Sequence, residues 1–251
     1  MKNKIKLCLL LLLLLGSSFV ILELNQKKQE EKNYHQTYTL QVSEIKEKQD
    51  EIDKQKELEK AKEEILSLRK EYNNEDVVGT FEILNEDFKV PVVQTKDNDF
   101  YLKHLPNKDY SFMGSIFMDF RVNIDTSKKL LIYGHNSKDY QMPFYILEKY
   151  YDEEYLNNHK EVVIKSLNKI RKYEIFSIFI ETSDYSYMDT EFTGEDYYKH
   201  ILYLQNKSMV KMDTKIYKND NILLLQTCST HEDYKKYKKK YLVLAFKEKS
   251  A

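Results

Sequence analysis

Tryptophan is absent from this 251-residue chain, glycine occurs five times and proline three times. That scarcity excludes collagen-like repeats and flexible Pro/Gly-rich linkers. Cys8 and Cys228 are the only cysteines, too few for a disulfide framework. Neither charge sign is in excess: 40 basic against 41 acidic side chains leave a formal net charge of −1. A nucleic-acid binder needs a basic surplus to displace counterions from phosphate, so that class is set aside. Arginine is also rare, since only Arg69, Arg121 and Arg171 occur and lysine carries nearly all of the positive charge.

What is present divides the chain into three parts. In residues 1–25, Lys2, Lys4 and Lys6 precede an apolar run from Leu7 to Leu22, interrupted by Gly16, Ser17 and Ser18 and stopped by Glu23. The run is short for a spanning helix and long for a signal-peptide core. A cleaved secretory signal is one reading. The absence of a clean small-residue cleavage site favours the other, an uncleaved signal-anchor with its lysines cytoplasmic and the rest of the chain outside the cell. Residues 26–76 read as a charged helical stalk whose last turns pack on the domain, without glycine or proline and rich in Lys, Glu and Gln. Ile45 and Ile52 are seven residues apart, as are Leu58 and Ile65, but the register slips between the pairs, too irregular for a coiled coil.

From Val77 to the end, short Val-, Ile-, Phe- and Tyr-rich runs predict eight strands. They are 77–84, 88–93, 114–119, 129–133, 161–167, 171–181, 221–227 and 241–247, with helical stretches around 99–104, 143–151, 154–159 and 195–206. The fold class expected is mainly β, an eight-stranded closed barrel with helical insertions.

Two strand ends carry chemistry-bearing groups. Cys228 ends the apolar run Ile222-Leu-Leu-Leu-Gln-Thr-Cys. A lone cysteine in an oxidising compartment is either buried or needed, so a structural thiol and a nucleophile both remain open. His135 ends Leu130-Leu-Ile-Tyr-Gly-His, where it is either a turn residue or a group held for acid–base work on a rigid scaffold. The other histidines show no metal-ligand spacing, and no phosphate-cradling glycine loop is present, so neither metal nor cofactor is expected.

Taken in order, these segments resemble the sortases. Leu225-Gln-Thr-Cys228 is similar to the Thr-Leu-x-Thr-Cys active-site strand, with Leu224 at the first Thr, and Tyr133-Gly-His-Asn136 is similar to the family's histidine loop. Val78-Gly79, Pro91-Val-Val-Gln94, Asp97-Asn98, Tyr101-Leu102, Gly114-Ser-Ile-Phe-Met-Asp119 and the helical insertion Thr193–Lys207 resemble class B in particular. The resemblance implies a membrane-tethered cysteine transpeptidase of a Gram-positive cell envelope. Cys228 would form a thioester with the Thr of a C-terminal sorting signal of the Asn-Pro-x-Thr type on a surface protein. His135 would protonate the leaving amine and then deprotonate the amine of a peptidoglycan precursor. Thr227 and Asn136 would contact substrate. The family places an arginine on the strand after the cysteine, whereas this chain reads Lys235-Lys-Tyr-Lys-Lys-Lys-Tyr241. Lys240 matches that position best, and Lys238 would share its face if the strand reached that far. A lysine keeps the charge and loses the planar fork. The alternative is a membrane-anchored binding protein on a sortase scaffold that has weakened or lost catalysis, and the lysines also read as a solvated strand edge.

Overall fold

The computed structural model describes residues 2–249, and within the first helix the side chains of residues 2–4, 7–15, 19 and 21 lie outside that description. Helix α1 runs over Lys2–Tyr72. The chain forms two compact units, residues 1–57 and 58–251. In the first, Val42, Ile45 and Ile52 are exposed, and the helix surface is held by local pairs such as Gln29 Nε2 to Asn33 and Gln49 Nε2 to Asp53. No helix among the described residues is long and apolar enough to cross a membrane. Most of the Leu7–Leu22 run expected to be an anchor lies outside the described side chains.

The second unit starts earlier than the change of composition at Val77. The last turns of α1 belong with it because Ala61 and Ile65 are buried, Arg69 Nε donates to Val77 O at 2.8 Å, and Lys89 pairs with Glu64. Eight strands follow: β1 (Val77–Ile83), β2 (Phe88–Val93), β3 (Phe117–Met118), β4 (Lys129–Tyr133), β5 (Glu161–Ser166), β6 (Ile170–Glu181), β7 (Ile222–Cys228) and β8 (Tyr241–Glu248). They close into a barrel in the order β1-β2-β3-β4-β7-β8-β6-β5. The third strand is far shorter than the run 114–119, because Gly114 takes a positive φ of 60° and turns the chain. Short helices α2 (Glu153–Asn158) and α3 (Asp196–Asn206) lie in the connections, and 143–151 is a three-ten helix.

The apolar runs of β4 and β7 are continuous because both faces of these strands are buried. Leu130, Ile132, Leu223 and Leu225 enter one core cluster with Phe81, Phe144 and Phe246. Leu131, Tyr133, Ile222 and Leu224 alternate into a second, with Phe179, Tyr187 and the α3 residues Tyr197, Ile201 and Leu204. These two strands pair in parallel, from Lys129 opposite Ile222 to Tyr133 opposite Gln226. Parallel pairing of adjacent strands brings their C-terminal ends, and so His135 and Cys228, to the same end of the barrel.

Candidate active site

Cys228 is the last residue of β7 and pairs with Tyr241, the first residue of β8. The chain leaves β4 at Gly134, a position that tolerates nothing larger: a Cβ there would lie 2.7 Å from the Phe144 ring. The Thr227 hydroxyl donates to Gly134 O at 2.7 Å, and Gly134 N donates to Gln226 O at 3.2 Å. These bonds extend the β4–β7 ladder to the base of the histidine loop. Asn136 then donates through Nδ2 to Cys228 O at 2.7 Å and to Glu148 at 2.8 Å. Glu148 also accepts from Thr230 N and Oγ1, which ties down the chain just beyond the cysteine.

The His135 ring is oriented by Leu102. Its Nε2 lies 2.8 Å from Leu102 O, and because a carbonyl only accepts, Nε2 carries the proton. Nδ1 is thereby the nitrogen left to exchange protons. Gly114 backs the ring so closely that a Cβ would sit 3.0 Å from His135 Cδ2.

A cavity of about 320 Å³ brings Cys228, His135 and Thr227 together with Asn98, Leu102, Phe117, Tyr133, Met188, Gln226 and Tyr241. Cys228 is exposed as a residue, yet the protein around its sulfur withholds water. That burial pushes the thiol above its ordinary value, while the Lys240 ammonium pulls it down without prevailing. Lys240 therefore acts on the sulfur through space.

The other expected contacts come out differently. Thr227 lines the cavity, but its hydroxyl is committed to Gly134, so it braces the strands. Asn136 lies outside the cavity lining; its Nδ2 is taken up by Cys228 O and Glu148, while its Oδ1 is buried without a partner. Lys240 also lies outside the lining, with Nζ 3.4 Å from Tyr237 O. Lys238 does not share its strand face, because β8 begins at Tyr241 and Lys238 sits exposed in a bend. A run of five lysines within six residues does not propagate a strand when its charges have water to face.

Several lining residues went unassigned from sequence. Tyr133 and Gln226 were within reach, since each lies two residues before His135 or Cys228 and period-two alternation puts it on the same face. Asn98 and Met188 come from connections, where no periodicity operates.

The comparisons with known proteins agree with this geometry. Residues 82–248 match the sortase domain family. Sortase B of Listeria monocytogenes is 36% identical over 165 residues, which is 65% of this chain and 67% of that protein. The structure of Clostridium perfringens sortase B matches with a TM-score of 0.65 at 32% identity, over 73% of this chain and 98% of that one. A Staphylococcus aureus sortase B–substrate complex matches with a TM-score of 0.67 at 26% identity, over 82% and 99% of the two chains. The chain belongs to the sortase family, in its class B branch. It is a cysteine transpeptidase.

Proposed function

We propose that Cys228 is the nucleophile and His135 the acid–base group of this transpeptidase, with Lys240 supplying a nearby positive charge. The observation that carries this reading is the meeting of Cys228 and His135 in one cavity, at the ends of paired parallel strands. Cys228 is also the only cysteine within the sortase-matched residues.

In this mechanism the Cys228 thiol passes its proton to His135 Nδ1, and the resulting thiolate attacks the carbonyl carbon of the Thr in a sorting signal. The C–N bond breaks, and the departing amine takes a proton from His135 Nδ1. A thioester remains. An incoming amine attacks it, gives its proton to His135, and expels the thiolate, which takes that proton back, so the enzyme ends as it began. The positive charge at Lys240 favours the thiolate and the negative charge that develops on the carbonyl oxygen.

The sorting signal is of the Asn-Pro-x-Thr type, carried by a surface protein, and the acceptor is a peptidoglycan precursor amine. The Staphylococcus aureus sortase B–substrate complex, which shares this fold, supports a donor substrate bound by the barrel. The Leu7–Leu22 run holds the chain in the cell membrane by a single pass, with Lys2, Lys4 and Lys6 inside and the catalytic unit outside. Its charge-then-apolar pattern supports this.

Mass spectrometry of the full chain incubated with an Asn-Pro-x-Thr peptide tests the reading. A Cys228 adduct, resolved to an amide when an amine acceptor is added, is expected. Processing by a Cys228→Ala variant at a comparable rate would overturn the assignment. An adduct with Leu-Pro-x-Thr-Gly alone would overturn the signal type.

A further inference from the structure

Met188 enters the catalytic cavity from the long connection between β6 and β7, as the last residue of a three-ten turn over Tyr185–Met188. Strand pairing does not reach it. Its backbone is gripped instead by two cations from elsewhere in the chain. Lys129 Nζ donates to Tyr187 O at 2.5 Å and to Asp189 O at 2.6 Å. Arg121 Nη2 donates to Met188 O at 3.0 Å. Three consecutive carbonyls, those of residues 187–189, are therefore held.

The third donor of Lys129 goes to His200 Nε2 on α3, at 2.8 Å, so one ammonium joins β4, the turn and α3. Burial, followed by the charge of Lys129, pushes His200 down to about 3, which keeps the imidazole neutral and able to accept. Lys129 is only 3% exposed, its partners are carbonyls and an imidazole, and burial pushes its ammonium down to about 7. Burying an ammonium costs several kcal/mol, and an apolar side chain of similar volume often serves stability as well or better. Stability alone is a poor reason for a lysine here.

The same network extends behind the cavity. Arg121 is fixed by Asp119 in a two-pronged pair at 2.9 and 2.7 Å. Asp119 also accepts from Tyr133 Oη at 2.7 Å and from Asn98 Nδ2 at 3.0 Å. Tyr187 Oη donates to Gln226 Oε1 at 2.6 Å. Asn98, Tyr133, Met188 and Gln226 all line the cavity, and each is held from behind by this network.

We propose that Lys129 and Arg121 are positioning residues for donor-substrate selection: they fix the Tyr187–Asp189 turn so that Met188 forms a rigid wall against the sorting signal. This rests on the reading of the cavity as the acyl-donor site. The clamp works through Met188, so its loss weakens substrate binding more than it slows the chemistry at Cys228.

The test is steady-state kinetics on the full chain with the sorting peptide, run beside the adduct measurement. Lys129→Met keeps the apolar stem and removes the donor. It is expected to raise KM by roughly tenfold while kcat stays within about twofold. Arg121→Lys, at a side chain 37% exposed, is expected to raise KM several-fold without loss of folding. Met188→Ala raises KM, and adding Lys129→Met to it makes matters no worse, because both act through one side chain. Exposed Lys128→Met is the control and leaves KM unchanged. A normal wild-type adduct with unmoved KM in both clamp variants overturns the clamp alone, even if their melting temperatures fall. Full additivity of Lys129→Met and Met188→Ala overturns it too. Should Lys129→Met fail to fold, Arg121→Lys decides, alone and combined with Met188→Ala. No Cys228 adduct in the wild-type chain overturns the reading of the cavity, and the clamp's role with it.

Discussion

The two sides of the catalytic cavity are held to different standards. On the β4–β7 side, a parallel ladder runs from Lys129–Ile222 to Tyr133–Gln226, and side-chain bonds continue it through Thr227, Asn136 and Glu148. His135 Nε2, Thr227 Oγ1, Asn136 Nδ2 and Glu148 each hold a neighbour there. On the β7–β8 side, Lys235, Lys236, Lys238 and Lys239 are exposed, and Lys240 reaches a single carbonyl of its own loop at 3.4 Å. The difference follows from how the groups act. Acyl and proton transfer depend on placement to a fraction of an ångström. A charge acts over several ångströms and falls off slowly, so it tolerates a mobile stem.

Removing a braced group should cost most. His135→Ala is expected to lower kcat by roughly 10²-fold or more, the scale of lost acid–base help. Its melting temperature should move little, since the ring lies at a strand end. A large loss of stability with near-normal turnover per folded molecule would make His135 structural.

The unbraced side should yield less. Lys240→Ala is expected to cost about tenfold in kcat/KM, below the ~10²–10³ measured for a fixed oxyanion donor. It should also raise the Cys228 thiol further, because the one group pulling it down is gone. Alkylation by iodoacetamide near neutral pH should therefore slow in the variant. An unchanged alkylation rate would show that Lys240 has no hold on the sulfur. Lys240→Arg should be tolerated.

Thr227→Val probes the bracing itself. It leaves Gly134 O without its partner in a buried place, a loss of about 1–3 kcal/mol in denaturant unfolding. Turnover should fall by less than in His135→Ala, because the ladder below remains. If Thr227→Val leaves both quantities untouched, the strand ends are held by the backbone alone.

The last expected effect concerns pH. His200 is pushed down to about 3 in the folded chain, by burial first and Lys129 second, against ~6.5 when unfolded. Between these values the unfolded chain binds a proton that the folded chain refuses. The contribution is complete above about 6.5 and is lost as pH falls toward 3. A His200→Gln variant should therefore show a shallower fall in melting temperature between pH 6.5 and 4 than the wild type. Parallel curves would mean that the imidazole titrates alike in both states.

The strands were legible because their residues obey a short-range rule. The predicted 88–93 and 129–133 coincide with β2 and β4, and 241–247 falls one residue short of β8. The run 114–119 shrank to Phe117–Met118, since alternation says nothing of the turn that Gly114 imposes. The sequence also singled out Cys228 and His135, each a chemically distinctive side chain closing an apolar strand, and the fold brings both into one cavity. Lys238 shows where that reasoning fails: it assumed a strand extension that solvated charge does not support.

What the sequence determined by itself, then, is the set of strands, the rarity of cysteine and arginine, and the two strand-end groups, Cys228 and His135, proposed for acyl transfer. Those rest on local periodicity and on side-chain chemistry, which a chain carries whether folded or not. Only the tertiary structure decided that the Thr227 hydroxyl and the Asn136 Nδ2 go to bracing, that Glu148 anchors the far side of the cysteine, and that Lys129 and Arg121 reach the 187–189 carbonyls. Each of those contacts joins residues distant in the chain, and their partners are backbone carbonyls or carboxylates that nothing in local pattern distinguishes. The deciding physical fact is that most buried polar groups find their partners wherever the fold supplies them, not where the local sequence does.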